Sequence, residues 1–146
     1  MRLVPDTGVV VAALRSDRGA SRRLPMAALD RQIALLASVP LMLEYEAVPT
    51  RPEQLEQAGW TVKETNAVLD ALAAVAEPVA LRFLWRPQLK DAADEMALET
   101  AVNGCAERLA TFNLRHLRDA AARFGIRAAL PGEVRRVIRG ARNEKK

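Results

Sequence analysis

The chain has 146 residues, half of them hydrophobic, and a net charge of +4 at pH 7, which is ordinary for one domain with its own core. A single cysteine, Cys105, excludes an internal disulfide, and no apolar run approaches the roughly 20 residues that a membrane helix needs. No signal-peptide pattern opens the sequence either, so we expect a cytoplasmic protein with no membrane segment.

The charges are divided unevenly along the chain. From Arg108 to Lys146 there are 11 Lys or Arg residues and 3 Asp or Glu residues, whereas residues 1–107 hold 11 and 15. An acidic portion beside a basic portion suits a protein that binds a cation and a polyanion together. A solvated arginine-rich surface explains the same charges equally well.

The first predicted elements are a short strand, Met1–Val4, then an acidic turn and a helix that covers residues 9–14. Asp6 therefore follows the strand's C-terminal end, where open α/β sheets bind their ligands. In the plainer interpretation, Asp6 or Thr7 only caps the helix. Pro5 cannot donate a ladder hydrogen bond and is expected to shorten the strand.

The next elements repeat this pattern. Ser21 is predicted to cap a helix that ends near Asp30, and the apolar run from Ile33 to Ala37 is typical of a buried parallel strand. Ser38 then caps a helix that carries Glu44, which either points toward the same sheet edge or is a surface residue compatible with the helix dipole.

The middle of the chain is predicted to be mainly helical. Residues 49–59 are interpreted as a loop with at most one helical turn, and Thr61 with Glu64 forms a capping box at the start of a helix that ends at Ala76. Residues 77–81 form a short strand or an extended link. In the loop 83–89, Trp85 either stacks on a base or covers the edge of the core.

The last third contains an acidic helix start and two further strands. Asp91 and Asp94 open a helix that stops at Asn103-Gly104, and the following strand ends at Thr111, two residues before Asn113. We therefore expect Asp94 and Asn113 to meet at the sheet's C-terminal edge. Residues 114–123 are then predicted as a helix or turn, 126–130 as a strand and 133–139 as a helix. One domain would cover residues 1–139, with a basic disordered tail at 140–146.

No dinucleotide, phosphate-loop, zinc-protease or serine-hydrolase motif is present, and the only histidine, His116, has no Cys or His partner that would indicate zinc. What remains is a set of carboxylates, Asp6, Glu44, Asp94 and Asp91. Clustered carboxylates repel one another unless a cation lies between them, and all-oxygen ligation selects a hard metal such as Mg²⁺ or Mn²⁺. An aspartyl phosphoacceptor would also need a lysine and a second acidic pair, which this pattern lacks.

Four short motifs, in this order, resemble those of the PIN-domain ribonucleases, and among them the toxins of bacterial and archaeal toxin–antitoxin pairs. They are the strand end VPDTGVV with Asp6, the helix start LMLEYE with Glu44, the helix start DAADEMAL with Asp94, and the strand end TFN with Asn113. The resemblance covers roughly residues 1–130.

The resemblance implies a PIN-like three-layer α/β/α sandwich with a four- to five-stranded, mainly parallel sheet. It also implies metal-dependent hydrolysis of RNA, a small antitoxin partner and a homodimer. In that scheme Asp6, Glu44 and Asp94 hold Mg²⁺ or Mn²⁺, and Asn113 orients a water on the metal. The supporting residues are Thr7, Thr111 and Asp91, and the phosphate contacts are Arg115 and Arg118.

Three positions depart from the family pattern. Gly8 replaces the usual asparagine, Pro5 replaces an apolar strand residue, and Asn113 replaces an acid that many members carry. The glycine removes a side-chain hydrogen bond but leaves the carboxylates, so we expect weakened metal chemistry. The alternative is a PIN-like module that has lost activity and acts by holding RNA or a protein.

Overall fold

The computed structural model describes residues 1–15, 26–49, 51–59, 61–82 and 91–144. The predicted helix start at Ser21 and the loop 83–89 with Trp85 lie outside these ranges. Residues 26–29 are helical, as predicted for the end of that second helix. In the described ranges no helix is both long enough and apolar enough to cross a bilayer.

The sheet has five strands, which are β1 (Arg2–Pro5), β2 (Ala34–Ala37), β3 (Glu77–Pro78), β4 (Arg108–Ala110) and β5 (Arg127–Ala129). Every hydrogen-bonded pair is parallel, and the order across the sheet is β3-β2-β1-β4-β5. Strands β2 and β3 follow one another away from β1 on one side, and β4 and β5 do so on the other. The strand order therefore reverses at the β1–β4 boundary, where open α/β sheets bind ligands beyond their carboxyl ends.

Alternate residues of the central strands enter two separate cores, as the twofold periodicity of a strand requires. Leu3 packs in a core with Ala27, Ala28 and Val134, whereas Val4 packs in a second core with Leu41 and Leu98. Helices thus cover both sheet faces, and the three-layer α/β/α fold is confirmed. The longer helices are α1 (Thr7–Arg15), α2 (Val39–Ala47), α3 (Pro52–Ala58), α4 (Val62–Val75), α5 (Ala92–Asn103), α6 (Leu114–Ala122) and α7 (Pro131–Glu144).

The predicted helix caps at Ser38 and Thr61 are confirmed. The Ser38 hydroxyl accepts a hydrogen bond from the Leu41 amide at 3.4 Å, and the Thr61 hydroxyl accepts one from the Glu64 amide at 3.1 Å. Each satisfies an amide that the first helical turn leaves without a backbone partner. These caps fix where α2 and α4 begin.

The prediction of a loop at residues 49–59 is wrong, because α3 occupies Pro52–Ala58. Proline and glycine stand at its two ends and not inside a loop. Pro52 begins the helix, and Gly59 ends it in the left-handed conformation, with φ 69° and its amide bonded to the carbonyl oxygens of Leu55 and Glu56.

The chain's end also differs from the prediction. Helix α7 extends through Glu144, so the backbone of residues 140–144 is helical where a disordered tail was expected. A glycine inside a helix costs only about 1 kcal/mol relative to alanine. Gly140 therefore does not stop a helix whose neighbouring arginine and alanine residues favour it.

Candidate active site

Asp6 lies directly beyond β1, at the point where the strand order reverses. Its side chain is buried, with 7% of the residue exposed. One carboxylate oxygen, Oδ1, accepts the Val9 amide at 2.9 Å and caps α1, while Oδ2 accepts a hydrogen bond from the Thr111 hydroxyl. Asp6 is therefore both the helix cap of the plainer interpretation and part of a polar cluster that includes the end of β4.

Thr111 and Asn113 form the β4 side of this cluster. The Asn113 backbone amide donates to the Thr111 hydroxyl oxygen at 2.9 Å, and that hydroxyl in turn donates to Asp6. The Thr111 amide is bonded to the carbonyl oxygen of Ala129 at 2.9 Å. The turn after β4 is thereby fixed to strands on both sides.

Asp94 reaches the same turn from the first turn of α5. Its Oδ2 accepts a hydrogen bond from the Asn113 side-chain nitrogen Nδ2 at 3.0 Å, which confirms the prediction that these two residues meet. Asp91 is the N-cap of α5, where its Oδ1 accepts the amides of Ala93 and Asp94 at 2.8 and 3.1 Å. Asp91 therefore fixes where α5 begins and holds the first turn, which carries Asp94.

Burial and neighbouring negative charge make ionisation of the Asp6 and Asp94 carboxyl groups unfavourable. Burial raises the pKa of Asp6, the charges of Asp94 and Asp91 raise it further, and the hydrogen bonds from Thr111 and the Val9 amide oppose them. Burial and Asp91 likewise raise the pKa of Asp94, while Asn113 and His116 lower it. A cation between the two carboxylates would relieve this cost.

Glu44 lies on α2 and is partly exposed. In the described part of the molecule it is not among the charges that shift the pKa of Asp6 or Asp94. It lines a groove together with Thr7, Ala93 and Phe112, so it stands beside the cluster and not within it. Its role as a metal ligand stays a prediction.

The oxygen donors at this site are of the kind that hard divalent cations prefer. Among the described residues no three Asp, Glu, His or Cys side chains come within reach of one ion. Mg²⁺, however, keeps several waters and commonly takes only one or two protein carboxylates. Asp6 and Asp94 are the two residues of this cluster that could supply such carboxylates, and the buried hydroxyl of Thr7, the residue after Asp6, has no hydrogen-bond partner in the described part of the chain.

The two predicted phosphate contacts occupy different places. Arg115 is exposed in the first turn of α6, two residues after Asn113. Arg118 lies one turn further along that helix and lines a groove beside the edge strand β5, together with Arg127 and Glu133. Arg115 is therefore the nearer of the two to Asn113 along the chain.

Two residues of the site were absent from the sequence-based set. The imidazole Nδ1 of His116 lies 3.1 Å from Asn113 Nδ2, and the buried Tyr45 hydroxyl donates to the Pro5 carbonyl oxygen beside Asp6. Burial and the Asp6 charge raise the Tyr45 pKa well above its usual value. The spacing of Asn113 and His116, three apart at a helix start, is the one sequence signal that would have linked His116 to the site.

Comparison with protein families gives a match to the PIN domain over residues 2–115. The matched range contains Asp6, Glu44, Asp94 and Asn113 and ends at Arg115. A comparison with curated proteins finds no match. PIN domains are typically nucleases, and in general they use divalent metal ions.

Proposed function

This chain belongs to the PIN-domain family, and from that membership we propose that it is a divalent-metal-dependent endoribonuclease acting as the toxin of a toxin–antitoxin pair. The observation that carries the nuclease proposal is the pair of buried carboxylates, Asp6 and Asp94, joined through Thr111 and Asn113 where the strand order reverses. Keeping two acids buried together costs free energy, which is expected where a cation is to be bound.

In the proposed reaction a phosphodiester bond of RNA is hydrolysed. Mg²⁺ or Mn²⁺ at Asp6 and Asp94, with Glu44 as a further ligand, would lower the pKa of the attacking water and neutralise charge on the phosphate. Thr111 holds Asp6 in place, Asp91 holds the first turn of α5, and the Thr7 hydroxyl, which has no partner among the described residues, is a further oxygen donor. These residues orient the carboxylates before substrate arrives.

In this proposal Asn113 orients the attacking water, and Arg115 and Arg118 bind the RNA substrate. The Asn113 side-chain nitrogen lies 3.0 Å from Asp94 Oδ2 and 3.1 Å from His116 Nδ1, so its carbonyl oxygen is the group left to orient the attacking water. Arg115, and Arg118 further along α6, contact the phosphates of the RNA backbone. The proposed partners are the RNA substrate, a small cognate antitoxin and a second copy of the chain, in the cytoplasm.

The test is cleavage of a mixed-sequence single-stranded RNA by purified protein, with Mg²⁺, with Mn²⁺ and with EDTA. Asp94→Asn should abolish cleavage and leave RNA binding intact or tighter, because a negative charge beside the backbone is removed. Arg115→Ala should weaken binding and flatten its dependence on salt. Asp70→Asn on α4, at an exposed position, is the matched control and should cut as the wild type does. Equal loss of binding in Asp94→Asn and Arg115→Ala would contradict this division of roles.

The second candidate is a PIN-like module that binds RNA or a protein and does not cut. Within the described ranges, the absence of a three-ligand group, together with Gly8 and Pro5, favours it. RNA binding by the wild type, without cleavage in either metal, would establish this alternative over the nuclease.

A further inference from the structure

A groove begins at the candidate active site and continues along α1. We call it the α1 groove, and its lining includes Thr7, Arg15, Glu44, Arg51, Gln54 and Phe112. Helices α1, α2 and α3 contribute its sides, and the turn after β4 contributes Phe112. From Gly8 to Arg15 this lining extends about 10 Å, at 1.5 Å per helical residue. The groove thus connects the carboxylates with surface well beyond them.

An aromatic side chain stands exposed at the end of the groove nearest the site. Phe112 has 55% of its surface accessible, although its neighbours are firmly held. Thr111 on one side bonds to Asp6, and Asn113 on the other bonds to Asp94. The phenyl ring is therefore presented to solvent by a fixed turn. Exposed aromatics on fixed supports are what unpaired bases stack on in single-strand binding proteins.

The far end of the groove is basic. Arg15 ends α1, and Arg51 precedes α3 as its N-cap residue; both are exposed. One Arg15 nitrogen donates to Gln54 Oε1, which orients the guanidinium and leaves its other donors for a ligand. Glu44 is the one acidic residue in the groove's described lining, beside two arginines. The described lining therefore carries net positive charge.

We propose that the α1 groove binds single-stranded RNA, with one unpaired base stacked on Phe112 and backbone phosphates beside Arg15 and Arg51. This assignment rests on the proposed nuclease function for the identity of the polymer. The negatively charged RNA backbone is attracted to the arginines of the groove, and an unpaired base can stack on the exposed phenyl ring.

The test measures binding of a fluorescent single-stranded 12-mer RNA, and of the same sequence as a duplex, in EDTA so that no cleavage occurs. Phe112→Leu should weaken single-strand binding about 5-fold or more without changing its salt dependence, since stacking of one base is removed. Phe112→Trp should restore it. Arg15→Gln and Arg51→Gln should each lower the slope of log Kd against log salt by about 0.7 for each phosphate that is no longer neutralised.

Arg31→Gln is the charge-matched control. Arg31 is exposed and precedes β2, so it lies at the end of the sheet where the strands begin, opposite the carboxyl ends that hold the site. It should change neither affinity nor slope. Wild-type affinity in Phe112→Leu, or equally tight binding of the duplex, would overturn the stacking assignment. If the slope of log Kd against log salt is unchanged in both arginine variants, the phosphate assignment is overturned, and a protein segment becomes the alternative ligand of the groove.

The two proposals fail differently. If the wild type binds RNA through this groove but cuts nothing in Mg²⁺ or Mn²⁺, the nuclease function falls and the groove assignment is supported. If the wild type cuts RNA and the groove variants bind and cut it equally well, only the groove assignment falls.

Discussion

Asn113 donates from its side-chain nitrogen to Asp94 Oδ2 at 3.0 Å and to His116 Nδ1 at 3.1 Å. Asn113 stands at the N-cap position of α6, yet its side chain makes no cap hydrogen bond. Asparagine at that position usually stabilises a helix by about 1 kcal/mol relative to alanine. Here the amide contacts Asp94 and the imidazole of His116 instead, so it does not cap α6.

His116 is expected to hold the Asn113 amide in one orientation. With the amide nitrogen placed toward the ring, we expect Nδ1 of the neutral imidazole to accept and the imidazole proton to lie on Nε2. Turning the amide over would place its oxygen against Asp94 Oδ2 and against the Nδ1 lone pair. His116→Ala should therefore lower RNA cleavage several-fold while leaving RNA binding nearly unchanged, and His116→Gln should recover part of the rate.

The tautomer can be read directly, because His116 is the chain's only histidine. Nitrogen-15 spectra of the imidazole at neutral pH should show Nδ1 without a proton and Nε2 with one. A proton on Nδ1 would contradict the arrangement, whatever the activity of the variants.

Metal should stabilise the folded protein, because it relieves the repulsion around Asp6 and Asp94. Ligand linkage gives about 2.7 kcal/mol at a hundredfold excess of metal over its Kd. For a domain of this size, that is a rise of several degrees in Tm, at about 2–4 °C per kcal/mol. Asp6→Ala or Asp94→Ala should lose most of the rise, and Asp70→Asn should keep it. If millimolar Mn²⁺ and Mg²⁺ both leave the wild-type Tm unchanged, the proposed metal site is contradicted.

Without metal, the raised pKa of Asp6 predicts the sign of a stability change. The folded state holds the Asp6 proton to a higher pH than the unfolded chain does, whose reference pKa is 3.8. The protonated carboxyl therefore favours folding at low pH, and that contribution is lost as pH rises through the folded pKa. Asp6→Asn cannot ionise and still offers an oxygen to cap α1.

The measurement is Tm in EDTA across pH 4 to 8. Asp6→Asn should melt above the wild type near neutral pH, with a difference that shrinks as pH falls toward 3.8. Asp70→Asn controls for the removal of one negative charge. A wild type more stable than Asp6→Asn at every pH would mean that the carboxylate is stabilised and not strained at this edge.

Much of the fold could be predicted from the sequence because its signals are local. Ser38 and Thr61 mark helix starts through hydrogen bonds within three residues, and the apolar run before Ser38 has the length of a buried strand. Helix α3 and the ends of α7 were missed for the same reason. Proline and glycine indicate helix boundaries as well as loops, and only the surrounding structure decides between them.

The sequence could predict which residues lie at the carboxyl edge of the sheet, but not the contacts that they make there. Knowing that Asp6 and Asn113 follow parallel strands is enough to bring them to one edge. It is not enough to predict that Thr111 bonds to Asp6 across 105 positions, or that Tyr45 supports the Pro5 carbonyl. Those contacts depend on strand order and side-chain orientation, which residue spacing does not specify. Glu44 illustrates the limit, since it shares the edge but stands beside the acidic cluster.

Gly8, where the family usually has asparagine, is the departure that bears most on activity. It is the second residue of α1, two positions after Asp6, so Asp6 and not residue 8 caps the helix. A Cβ added at Gly8 would lie 3.5 Å from Asp6 Oδ1, an ordinary contact. Asparagine therefore fits beside the carboxylate, and its helix propensity exceeds that of glycine by a few tenths of a kcal/mol.

Gly8→Asn should raise Tm slightly and activity much more, because a catalytic group displaced by about 1 Å can cost roughly a hundredfold in rate. A side-chain amide at residue 8 would restrain Asp6 in a way that glycine cannot. The measurement is divalent-dependent cleavage of mixed-sequence RNA by the wild type, Gly8→Asn, and Gly8→Asn combined with Asp6→Ala. The single variant should cut faster than the wild type and the double variant should be silent. If all three bind RNA and none cuts it, the chain is a binding module that has kept the PIN fold without its chemistry.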